Sequence, residues 1–144
     1  MDDAMWPLVV VTFSTSTSDD DWRRMFRVYE RYYARGQRFH VVNDGLAVKG
    51  AIVPSQRKII AESARAHEDM SRRWCLGGAT VVGNTIARGV VTAITWVAPP
   101  AYKLTFHPTL ADAADEAIRT LGKHGIAIPE VVKAYRRSLS TTAA

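Results

Sequence analysis

Arg38-Phe39-His40-Val41-Val42-Asn43-Asp44, followed after a short loop by Pro54-Ser55-Gln56-Arg57, decides how this chain folds. An apolar, β-branched run closing on two polar residues reads as a buried strand that reaches the edge of a core. Proline then suits the first turn of a helix, where its missing N–H costs nothing. A strand that hands over to a helix in this way is half of a β–α unit. In α/β proteins, ligands and regulatory groups collect where strand carboxyl ends meet helix amino ends. Asp44, Ser55 and Arg57 are therefore the first candidates for a contact surface, and Asn43-Asp44-Gly45 reads as a turn-forming trio.

Upstream, Leu8-Val9-Val10-Val11-Thr12-Phe13 is a continuous apolar run and reads as a second buried strand. Ser14 to Ser18 is a polar loop. Ser18 with Asp21 resembles a capping box, and Asp19, Asp20 and Asp21 fill the first helical turn, where the helix dipole favours negative charge. Trp22, Met25, Phe26, Tyr29, Tyr32 and Tyr33 recur at three- and four-residue spacing, and Gly36 ends the helix. An aromatic stripe can stack on bases or sugars, but helical spacing favours core packing, with tyrosine hydroxyls left at the edge of a groove.

Downstream, the apolar loop 46–53 either lies against the body or covers a pocket. One helix is expected from Pro54 to Trp74, with Ile60, Ala64, His67 and Trp74 near one face. Gly77-Gly78 reads as a break before a short strand, Ala79 to Val82. Residues 86–97 carry β-branched pairs that suit a strand, yet their length, the Asn84 cap and the stop at Pro99-Pro100 favour a helix. Lys103 to Phe106 is a fourth strand. Thr109 and Asp112 cap a helix with Leu110, Ala113, Ala114, Ala117, Ile118 and Leu121 on its face, and Pro129 to Leu139 forms a last helix. Strand–helix alternation four times over predicts an α/β fold: a four-stranded, mainly parallel sheet with helices packed on it, spanning residues 1–128. Residues 129–144 are expected to add a C-terminal helix and a frayed tail.

The 144 residues carry a net charge of +5, with most of the excess after Arg73, and hold a single cysteine. The basic residues are scattered along solvated helix faces, which argues against nucleic acid as a partner. Cys75 alone cannot form an internal disulfide or a multi-cysteine metal site. No window approaches the ~18 apolar residues of a membrane span, and the acidic start Met1-Asp2-Asp3 is unlike a secretory signal, so a reducing cytoplasm is the expected compartment.

The series Leu8 to Phe13 with its capped helix, Phe39 to Asp44, Pro54 to Arg57, Ala79 to Val82, Arg88 to Trp96 and Phe106 to Leu121 resembles the STAS fold of anti-sigma-factor antagonists. It is closer still to small bacterial STAS-like relatives, over roughly residues 5–123. The resemblance implies a non-catalytic regulatory module that docks a protein partner, in some members through a phosphorylatable Ser or Thr at the amino end of the helix after the second main strand. Ser55 is the matching position. The signalling members place an Asp-Ser or Asp-Thr pair tightly after that strand, whereas here ten residues separate Asp44 from Ser55.

No catalytic constellation emerges. His67 and Cys75 are eight residues apart, about 12 Å along a helix, too far for a nucleophile and its base. His40, His107 and His124 lie on different elements without metal-ligand spacing, and the glycine pairs do not form a phosphate loop. The sequence therefore predicts a non-enzymatic STAS-like interaction module without a cofactor or metal, docking a protein, a peptide or a second copy in a homodimer. The alternative is an accessory protein that binds a small apolar molecule, lipid or peptide between sheet and helices, in a pocket lined by His67, Trp74 and Trp96. Trp96, Pro99, Pro100 and Tyr102 also read as an apolar patch, either open to a partner or packed beneath the last helix.

Overall fold

Four parallel strands lie side by side in the order in which the chain makes them. The computed structural model describes residues 1–142. The elements run β1 (Leu8–Thr12), α1 (Asp19–Ala34), β2 (Phe39–Gly45), α2 (Pro54–Ala66), α3 (Glu68–Trp74), β3 (Cys75–Val82), α4 (Thr85–Val97), β4 (Leu104–His107), α5 (Leu110–Lys123) and α6 (Glu130–Thr142). Because every crossover moves one strand in the same direction, right-handed connections put α1, α2, α3 and α4 on one face of the sheet. The other face is left for α5 and α6.

The core divides accordingly. Val9, Val11, Phe39, Val41 and Cys75 pack against Tyr29, Tyr32 and Tyr33 of α1. Leu8, Val10, Val42, Ala79 and Val81 point the other way, against Ala113 and Ala117 of α5 and Val132 of α6. The alternation follows from the period of two along β1 and β2, and a register shift between Phe39 and Val41 in the β2–β3 ladder lets Cys75 face α1 while Ala79 and Val81 face α5. The small residues of α5 let it lie close across the middle of the sheet. Val132 is fully buried in the same cluster, so α6 belongs to this core and not to an appended tail. Ala143 and Ala144, at the end expected to fray, lie outside the described residues.

Local signals set the helix starts. Ser18 accepts from Asp21 N–H while the Asp21 carboxylate accepts from Ser18 N–H, a complete capping box. Asn84 and Thr109 cap α4 and α5 by accepting from Ala87 and Asp112 N–H. Gly36 turns the chain out of α1 with φ +62°. Residues 86–97 form a helix despite their β-branched content.

Three expectations needed correction. The helix expected from Pro54 to Trp74 breaks at His67, whose backbone (φ −112°, ψ 12°) leaves the helical region. Gly77-Gly78 is no break. Both glycines lie inside β3, which starts at Cys75. They are needed because a Cβ at Gly77 would sit 2.7 Å from His40 Nε2, and one at Gly78 would sit 2.9 Å from Leu104 and Tyr102. Asn43-Asp44-Gly45 is not a turn either: all three residues are paired with β3, opposite Thr80, Val81 and Val82. Among the described residues no helix is long and apolar enough to cross a membrane.

Candidate functional site: an uncharged cavity over the sheet

On the face shared by α1 to α4, the helices do not close ranks. Helices α1 and α2 pack on each other, whereas the main packing of α4 is onto β3. On this face β3 presents Thr80, which does not fill the space between α2 and α4. A cavity of about 420 Å³ results, within the ~300–1,000 Å³ span of small-molecule sites.

Asn43 and Thr80 form its floor, with Val82, Leu104 and Tyr102 beside them. Asn43 Nδ2 donates to Thr80 Oγ1 across the β2–β3 ladder at 3.2 Å. One wall is α1, through Trp22, Met25, Phe26, Tyr29 and Tyr33. The opposite wall is the inner side of α4, through Ala87, Val90, Val91 and Ile94. Ile60, Ser63, Ala64 and Gln56 of α2 complete the enclosure, and Val48, Ile52 and Val53 of the 46–53 loop cover it. The loop is thus the cover of a pocket, one of its two expected roles. The aromatic stripe of α1 serves both core and cavity, since Tyr29 and Tyr33 are buried yet line the space.

No Asp, Glu, Lys or Arg lines the cavity. Its polar groups are hydroxyls and amides, with the His67 imidazole at the rim. Burial pushes the phenols of Tyr29 and Tyr102 well above their ordinary range, and that of Tyr33 up to about 12. They are therefore fixed as O–H donors at any physiological pH. Trp22 is buried, and its indole N–H has no partner among the described residues.

Of the residues expected to line a pocket, only His67 does. Its Nδ1 lies 2.9 Å from Ser63 O and its Nε2 lies 2.9 Å from Glu30 Oε1, so it ties α2 to α1 at the rim. Trp74 instead packs toward Gly36, with the Arg73 guanidinium 4.9 Å from its ring. Trp96 projects from the outer side of α4 and is 83% exposed. Helical phase explains the difference, because Val91, Ile94 and Thr95 occupy the inward side of that turn.

Asp44, Ser55 and Arg57 do not converge. Asp44 follows Val42 onto the α5–α6 face, where its charge raises the Tyr135 phenol beyond the effect of burial. Ser55 lies on the opposite side of the sheet, where its hydroxyl donates to Asp19 Oδ1 at 3.2 Å. Arg57 is exposed on α2.

Cys75 is buried, and burial pushes its thiol up to about 12, which removes it as a nucleophile. Among the described residues no group of three or more His, Cys, Asp or Glu side chains comes together as metal ligands. The basic residues near the carboxyl end are largely paired, Arg136 with Asp115 and Arg137 with Glu130.

The residues that sequence reasoning missed are Asn43 and Thr80. The signal was present in β2, where Phe39, Val41 and Asn43 share one parity, so a polar residue replaces an apolar one on a helix-covered face. No family model, curated protein or solved structure matches the chain.

Proposed function

We propose that this protein is a non-catalytic binding module that holds a small apolar molecule between its sheet and helices α1, α2 and α4. The observation that carries this reading is the partly open, largely apolar cavity of about 420 Å³. Native interiors are close-packed, with few voids larger than a water molecule. An apolar space of this size forfeits packing along its whole lining, so a ligand that restores those contacts stabilises the fold. The STAS-like resemblance fits the same reading, as a regulatory domain of the bacterial cytoplasm whose state depends on occupancy.

Recovered protein should carry an extractable apolar compound detectable by native mass spectrometry. The purified chain should also take up phenylnaphthylamine, a neutral dye that fluoresces in apolar surroundings. Ala64→Phe, which fills the cavity from α2, should abolish uptake while leaving the melting temperature unchanged or higher. Clean apo-protein together with no dye uptake would remove the proposal.

A second reading is docking to another copy of the chain, and one observation favours it. Ile86 and Trp96 lie on the outer side of α4 at 76% and 83% exposure. Large apolar side chains held this openly mark contact surfaces. Trp96→Ser should then shift a dimer to monomer in sedimentation equilibrium, whereas a wild-type protein that is monomeric at high concentration would exclude this reading.

A further inference from the structure

Resting on the cavity as a binding site, we infer that its ligand is an electrically neutral hydrophobe bearing a hydroxyl or carbonyl oxygen, seated with that oxygen over Asn43 at the centre of the sheet. Two independent features of the lining lead there.

The first is charge. The cavity is walled by α1, α2, α4 and two loops without a single Asp, Glu, Lys or Arg among its described lining residues, and its one imidazole, His67, sits at the rim with Nε2 2.9 Å from Glu30 Oε1. A carboxylate or phosphate brought inside would shed its water and meet no counter-charge, which is the costliest form of polar burial. An ammonium group would fare no better. This holds although the protein as a whole has a net charge of +5. Its cations lie outside the lining, some paired on helix faces and some stacked on rings, as Arg88 is on Phe106.

The second is the supply of hydrogen-bond donors. Asn43 Nδ2 spends one N–H on Thr80 Oγ1, which leaves its second N–H and its carbonyl oxygen for another partner. The phenols of Tyr29 and Tyr102 border the same space, and burial keeps them protonated. Buried donors in native proteins are nearly always matched. A purely hydrocarbon ligand would leave these groups unmatched, so an oxygen acceptor completes the site. The remaining lining supplies the apolar contact that holds the body of the molecule.

Three probes of equal chain length separate the cases: dodecanol, dodecanoate and dodecane, each displacing phenylnaphthylamine from the full chain at pH 8. Dodecanol should displace the dye at concentrations about tenfold below those needed for either of the others, because only it matches the donors without importing a charge. Asn43→Leu should erase most of the preference of dodecanol over dodecane while leaving dodecane itself unaffected. Should that variant fold poorly, Tyr102→Phe keeps the shape and should narrow the same preference severalfold. Dodecanoate displacing as well as dodecanol overturns the inference and identifies an anionic ligand, with the binding function intact. A preference unchanged in both variants overturns the assignment of the head-group site. Failure of the dye and of all three probes to enter would instead take down the binding function itself.

Discussion

The Ser55 hydroxyl donates to the Asp19 carboxylate at 3.2 Å and so joins the first turn of α2 to the first turn of α1. Asp19 leads a run of three aspartates that the dipole of α1 stabilises, and the Ser18 N–H and hydroxyl hold Asp21 below the usual carboxylate range. A negative group on Ser55 would therefore face the Asp19 carboxylate as well as the free N–H groups of its own helix. Electrostatics oppose phosphorylation at the one position that the STAS-like resemblance would make a phosphoacceptor.

Ser55→Asp is expected to lower the melting temperature by roughly 3 °C, the scale of an exposed like-charge contact in a domain of this size. Ser55→Ala should shift it by about 1 °C or less, since only one exposed hydrogen bond is lost. The sign separates the roles. A phosphomimetic that stabilised the protein, followed by calorimetry, would restore Ser55 as a switch.

His40 gives the fold a pH dependence. It is 2% exposed on the α5 side of the sheet, and its Nδ1 has no hydrogen-bond partner among the described residues. Burial lowers its pKa from the ordinary 6.5 to about 4. The unfolded chain therefore binds a proton that the folded chain refuses between those two values. Stability is full above pH 6.5 and falls as the pH drops towards 4, by roughly 3 kcal/mol if this group acts alone. Urea titrations at pH 7.5 and 4.5 should show that slope in the wild type and a much flatter one in His40→Phe. Equal slopes in the two proteins would remove His40 as the cause.

The thiol of Cys75 should be inert in the native protein. It is buried at the start of β3, and burial holds its pKa at about 12. Thiolate is the reacting form, so at pH 8 only a trace of the side chain is reactive even if reagent reaches it. Ellman's reagent should react with the folded protein at the rate of global opening and with urea-unfolded protein at once. Fast stoichiometric labelling of the native state would show that α3 opens independently.

How much of this was legible in the sequence depends on how local each signal is. The Ser18–Asp21 box, the Asn84 and Thr109 caps and the exit at Gly36 are all settled within four residues, and sequence predicted each of them. The sheet was legible chiefly through β1 and β2, whose residues 8–11 and 39–42 are buried and read as largely apolar runs. The cavity was not, because it depends on how far α4 stands from α2, and no residue records that distance. Trp74 and Trp96 show the difficulty. Both are large and apolar, and each lies near a face that a pocket could share. Yet Trp74 packs against the end of α1 and Trp96 points outward, since helical phase relative to the sheet is a tertiary property. Asp44 and Ser55 failed as a pair for a similar reason. One step of strand parity sends Asp44 through the sheet to the α5–α6 side, while its neighbour Asn43 faces the cavity.

Helix α6 supplies the last test, because sequence set residues 129–144 apart from the main domain whereas the core includes them. Val132 is completely buried among Leu8, Val42 and Ala117. Arg136 grips Asp115 of α5 in a two-pronged pair, with Nε at 2.6 Å from Oδ1 and a terminal nitrogen at 2.8 Å from Oδ2. That contact holds the Asp115 carboxyl below its usual range. The two contacts should differ in weight. Val132→Ala removes buried methyls and leaves a void, for an expected loss of about 2 kcal/mol. Asp115→Asn breaks a pair that is partly solvent-screened, for about 1 kcal/mol. Cutting the chain after residue 128 should cost far more than their sum, since it removes Val132 from the core around Leu8 and Val10 together with the Arg136–Asp115 pair, and the shortened protein should lose cooperative unfolding in urea. If it unfolded as sharply and at the same midpoint as the whole chain, α6 would be an appendage after all, and the burial of Val132 would contribute nothing to the fold.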